Sequence, residues 1–147
     1  MRRIRAVSCV IAAVVLAGCG SDKATSPADQ GPTTVSGVFA LRSVNQKALP
    51  YSFTAPPPDT DVVLAITSDR ITLQQDGTFT EVTTMTAVVQ GQTIGPATST
   101  TNGTYVYTPS TRGISLLANG GASITGTVLN DTMTLKDDTD TLVFKRQ

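Results

Sequence analysis

The chain has 147 residues, room for one domain, with 11 basic and 11 acidic residues, no His, no Trp and two Cys. The missing histidine excludes a Ser-His-Asp triad, a Cys-His pair and a histidine-based metal site, and the balanced charge gives no electrostatic footprint for nucleic acid. Thr occurs 25 times, and β-branched side chains suit pleated, half-exposed strands.

Arg2, Arg3 and Arg5 open the chain, and an apolar stretch follows from Ala6 to Ala17, interrupted by Ser8 and Cys9. That stretch is shorter than the roughly 20 apolar residues of a bilayer-spanning helix. It predicts a cleaved export signal over residues 1–18. Leu16-Ala17-Gly18-Cys19 resembles the lipobox of bacterial lipoproteins. The resemblance implies that Cys19 receives diacylglycerol, becomes the first mature residue and is acylated on its new amino group. Two or more acyl chains give stable membrane attachment where one gives only marginal binding. Gly20 follows the Cys. In enteric bacteria an Asp there retains lipoproteins in the inner membrane, so Gly20 favours the outer membrane, facing the periplasm.

With the signal removed, eight basic residues stand against 11 acidic ones, a net charge of −3. Cys9 leaves with the signal and Cys19 is blocked, so no thiolate chemistry is expected. Residues 20–34 hold no large apolar side chain and cannot bury enough surface to offset their ordering entropy. With Cys19 they read as a lipidated tether over 19–34. As a coil the 15-residue segment 20–34 spans roughly 20 Å, and about 50 Å fully extended.

From Val35 to Gln147 short alternating runs are separated by turn signals, with no sustained helical period. Gly37 to Val44 is the first strand. Asn45 to Pro58 reads as irregular, because Pro56-Pro57-Pro58 cannot sit in a central strand. Asp61 to Ile66 and Arg70 to Gln74 are two further runs. Asp76-Gly77 signals a type I′ hairpin turn into a long strand from Thr78 to Val89. Gly91 to Pro96 reads as the next turn. Ala97 to Thr101 is a weak run, Asn102-Gly103 a turn or bulge, and Thr104 to Thr108 a clear strand. Ile114 to Ala118, Ala122 to Leu129, Met133 to Leu135 and Leu142 to Phe144 complete eight to ten strands.

Sequential hairpins predict an all-β, antiparallel up-and-down meander. Closure into a small barrel of about eight strands removes the exposed edges. The runs alternate apolar-in and polar-out, which predicts a soluble barrel; a membrane barrel reverses that pattern.

Gly37-Val38-Phe39-Ala40-Leu41, then Val44-Asn45 and Leu49-Pro50, is similar to the opening of the bacterial lipocalin-like domains. So are the Ile71–Phe79 hairpin around Asp-Gly, Gly103-Thr104-Tyr105 and the apolar Leu142–Phe144 strand. Phe39 stands where the family carries Trp, and Gln46 where a Gly follows the Asn. Arg146 or Lys145 stands near the position of the family's Arg that packs over that aromatic. The resemblance implies a calycin-type barrel over residues 35–147. Such a barrel is just large enough to hold one small apolar ligand or to be filled by its own side chains.

Asp137, Asp138 and Asp140 form the acidic cluster, read as a solvated hairpin turn rather than a Ca²⁺ site, since the spacing of an EF-hand is lacking. Glu81 is the sole Glu, and spacing identifies no Asp partner for a glycosidase-like pair. Tyr105 and Tyr107 share a face and read as packing residues. The expectation is a lipid-anchored, non-enzymatic envelope lipoprotein, monomeric, without catalytic residues, metal, cofactor or nucleic acid. Its membrane contact is Cys19 and its candidate ligand a small apolar molecule. The alternative is a filled barrel acting through its loops as an inhibitor or envelope assembly factor, with 46–59 and the turn after Val89 as the candidate loops.

Overall fold

A computed structural model describes residues 35–59 and 61–147; the expected export signal, Cys19 and the expected tether lie outside the described residues. The strands are β1 Gly37–Val44, β2 Lys47–Ala48, β3 Tyr51–Thr54, β4 Val62–Leu73, β5 Thr78–Val89, β6 Gln92–Thr108, β7 Gly113–Ala118, β8 Ser123–Leu129, β9 Thr132–Lys136 and β10 Thr141–Arg146. No described residue is helical. Strands β4 to β10 pair in sequence, β10 pairs with β1, and β1 returns to β4. Every one of these pairings is antiparallel. The result is a closed eight-stranded antiparallel barrel with β2 and β3 added.

Closure is narrow. Gly37–Ala40 of β1 meet Arg70–Leu73 of β4, and the two strands then part. Beyond that point β2 covers the end of β1 and β3 covers the first half of β4. The segment expected to be irregular therefore contains two short strands. Asn45 and Gln46 both take positive φ, 51° and 66°, and turn β1 tightly into β2. Pro50 and Pro56 bracket β3 instead of interrupting it. Within β3, Tyr51 and Phe53 share a face and stack at 6.2 Å.

Four further elements differ from the sequence reading. The runs 61–66 and 70–74 are one strand, β4, with a bulge between Ile66 and Ser68. A bulge inserts one unpaired residue, so the inward positions switch from even to odd numbers and the alternation breaks. The Gly91–Pro96 turn is instead at Gln90-Gly91, and Gly95-Pro96 bulge inside β6 opposite Thr86. Asn102-Gly103 does not turn: a Cβ on Gly103 would clash with the Leu117 carbonyl of β7 and lie 2.6 Å from the Phe79 ring, so glycine admits both against the β6 backbone. At the predicted Asp-Gly hairpin only Gly77 has positive φ. Gln74 pairs with Thr78 around a three-residue loop, the geometry of a type I turn with a glycine bulge. Asp76 Oδ1 accepts hydrogen bonds from the Thr78 amide and hydroxyl at 2.9 and 2.6 Å.

Apolar side chains point inward. Phe39, Phe144, Ile71, Met133 and Leu135 are among the fully buried ones. One end of the barrel is sealed. Arg146 lies over the Phe39 ring, 4.6 Å from its centre, and its Nη1 donates to the Ser36 carbonyl at 2.6 Å. Gly37 leaves the room, since a Cβ there would meet the guanidinium. The Tyr105 hydroxyl donates to the Gln74 carbonyl at the same end, at 2.6 Å. Lys145 points away and donates to Thr132 Oγ1 at 2.5 Å.

Arg146→Met should remove the ring contact and the Ser36 bond together. The expected loss is about 1–3 kcal/mol, measured by urea denaturation. Lys145→Met, on the outer wall, should shift the same transition by less than about 0.5 kcal/mol.

Candidate functional site

The inward side chains are graded along the barrel axis. Phe39, Leu73, Phe79, Met133 and Phe144 crowd the sealed end. Towards the other end the inward positions are smaller or polar, including Thr101 and Ala118. A cavity of about 320 Å³ results, near the lower limit of small-molecule pockets. Its floor is Ile71, Phe79 and Phe144, and its walls are Leu116, Ile124, Leu135 and Leu142. Ala122, Ser123 and Asp137 form its rim beside the β7–β8 and β9–β10 turns. The β5–β6 hairpin projects past this open end, since β6 joins β7 only from Gly103 onward.

Glu81 brings a carboxyl into the otherwise mainly apolar lining. Its neighbour is Asp69. The Asp-Gly hairpin sets Leu73 opposite Phe79, Ile71 opposite Glu81 and Asp69 opposite Thr83. Both acids thus fall on the inward face of adjacent strands. Asp69 is only 5 % exposed, and its Oδ1 has no hydrogen-bond partner. Burial pushes the Asp69 carboxyl up to about 7, and the negative charge of Glu81 adds to the effect. The Thr83 hydroxyl and the Arg70 amide oppose it without satisfying Oδ1. Burial also raises Glu81, while a hydrogen bond from Asp69 acts the other way. Burial thus makes both carboxyls of the pair resist ionisation, Asp69 up to about 7.

Asp69 also lines a groove of about 420 Å³ along the seam where β1 and β4 part, together with Arg42, Ser68 and Arg70. The acid pair stands in the wall between this groove and the cavity.

The acidic cluster at 137–140 is a turn. Asp137 Oδ1 accepts from the amides of Thr139 and Asp140 at 2.8 and 2.6 Å, which holds its carboxyl below the ordinary range. Asp140 accepts from the Asn45 amide at 2.6 Å and ties the turn to the end of β1. Among the described residues no three His, Cys, Asp or Glu side chains converge as a metal site. Tyr105 and Tyr107 pack against the core. Cys19 lies outside the described residues.

Asp69 escaped the sequence reading because it sits in a polar stretch beside the β4 bulge. The signal was present. Stepping back by twos from Leu73 and Ile71 reaches Asp69, stepping forward from Phe79 reaches Glu81, and the hairpin fixes the register between them. No protein-family model, curated protein or solved structure matches the chain.

A carboxyl with a raised folded pKa stabilises the fold below its unfolded pKa, and that stability is lost as pH rises through the folded value. For Asp69 the window runs from about 4 to about 7. Stability measured by urea titration should fall across it, with a slope of at most about 1.4 kcal/mol per unit from this group. Asp69→Asn should flatten the profile and raise stability at pH 8. An unchanged slope in the variant would refute a buried Asp69 proton.

Proposed function

We propose that the protein is a non-enzymatic lipoprotein of the bacterial cell envelope whose lipocalin-like barrel holds a small apolar ligand. The observation that carries the ligand reading is the half-hollow interior: large side chains fill one end and leave an apolar cavity, open at the other. A ligand there is shielded from water on most sides, and burial of apolar surface contributes about 25 cal/mol per Å². The Arg146–Phe39 contact supports the resemblance to the lipocalin-like domains, since Arg146 occupies the role that their Arg plays over the first-strand aromatic. The paired carboxyls do not favour a glycosidase, because groups hydrogen-bonded to each other leave no room for a scissile bond between them.

The membrane reading rests on the signal, the lipobox and the tether in the sequence. A tri-acylated Cys19 would fix the barrel at the membrane, by expectation the outer one, with the tether holding it clear of the lipid. Cys19→Ser should abolish labelling by radioactive palmitate and release the protein from the membrane fraction. Retained label would disprove lipidation at Cys19.

Native mass spectrometry after mild purification tests the ligand. The expected result is a co-purifying small molecule, displaced when the protein is denatured. An empty barrel that resists every apolar probe would overturn the reading. The alternative, an interaction module, is favoured by the outer edge of β6 from Gln92 to Thr101, which pairs with β5 but not with β7 and carries an Ile94 that is 56 % exposed. An empty barrel that stays bound to a second protein would support it.

A further inference from the structure

We propose that the barrel selects a cationic amphiphile: a primary amine whose apolar tail fills the cavity and whose ammonium meets the Glu81 carboxyl, with Asp69 packed behind it. The proposal rests on the ligand reading above and names the chemical class.

Three observations carry it. Glu81 lines the cavity, so a charged acceptor lies among apolar walls. Asp69, beside it, is 5 % exposed with Oδ1 unpartnered, and native folds rarely leave such an atom unmatched without a use. An ammonium supplies three donors and no acceptor, which suits the Glu81 carboxylate that lines the cavity. Finally, the charge at the open end has one sign. The charged residues lining the cavity are Glu81 and Asp137. Those lining the adjoining hollow against β3 are Asp137 and Asp140. No Lys or Arg lines either among the described residues. A mouth of one sign with apolar walls concentrates the field and draws in the opposite charge. A carboxylate-headed lipid would meet repulsion at the rim and a second carboxylate inside.

The chemistry also orders the competitors. An alcohol of the same chain length fills the cavity equally well but leaves the Glu81 charge uncompensated. A fatty acid adds a like charge to it.

Calorimetric titration of the purified full-length protein at neutral pH with octylamine, octanol and octanoate tests the proposal. Octylamine should bind at least tenfold more tightly than octanol, and octanoate more weakly still. In Glu81→Gln the preference for amine over alcohol should fall below threefold. Equal affinity for amine and alcohol in the unaltered protein would overturn the amine proposal and leave the apolar-ligand reading standing. Binding of none of the three would overturn both. An amine preference that survives in Glu81→Gln would overturn the assignment to Glu81. Should that variant fail to fold, the amine-to-alcohol ratio of the unaltered protein decides the proposal by itself.

Discussion

β1 is hydrogen-bonded on both edges, to β10 along most of its length and to β4 through four residue pairs. Everything else depends on that double pairing. Without it the strands form an open meander, the inward apolar face is exposed, and the terminal strands offer free edges. Phe39 lies where the two pairings overlap and is wholly buried. Arg146, from the end of β10, caps it and reaches back to Ser36. The two ends of the barrel sequence are thereby tied at one spot. The ion pair of Arg146 with Asp131, at 3.4 Å, adds little because the Asp131 side chain is 76 % exposed.

Closing at one end frees the other. The four-pair contact cannot continue, since the β4 bulge turns that strand away and β2 and β3 occupy the opening seam. The barrel is therefore firmly packed where β1 and β4 touch and hollow where they part. The same divergence places Asp69 in the wall beside the seam groove. A protonated carboxyl costs far less to bury than a charged one, which is why burial pushes the Asp69 carboxyl up. The seam opens where both strands bulge, β1 at Arg42 and β4 at Thr67.

The sequence made much of this legible. Strand β1, β5 and the four strands from Gly113 onward follow from alternation and turn residues, because tight hairpins write their own signals. Closure was inferable from the cost of free edges. Two kinds of feature were hidden. Bulges at Thr67 and at Gly95-Pro96 break the two-residue period, so single strands read as pairs of runs. Gly103 carries no label for whether it turns the chain or admits close neighbours; the positions of Phe79 on β5 and Leu117 on β7 decide it. Asp69 was hidden by the first of these. A polar residue next to a broken period reads as a loop until the register across the hairpin is counted.

The turn at 137–140 links these levels. Its carboxylates were readable as an acidic cluster, and its local bonds are those of a tight turn capped by Asp137. Asn45 joins it to the β1–β2 corner through Asp140 and the Thr141 amide, at 2.6 and 2.9 Å. That tie holds the rim of the cavity to the end of β1, where the seam begins. It keeps Asp137 at the mouth with its charge retained, because hydrogen bonds from backbone amides favour the ionised form. The open end thus presents a fixed negative rim above a carboxyl pair whose charge is set by burial. Two acids of the same kind are driven in opposite directions by their surroundings, one towards permanent charge at the entrance and one towards holding a proton inside.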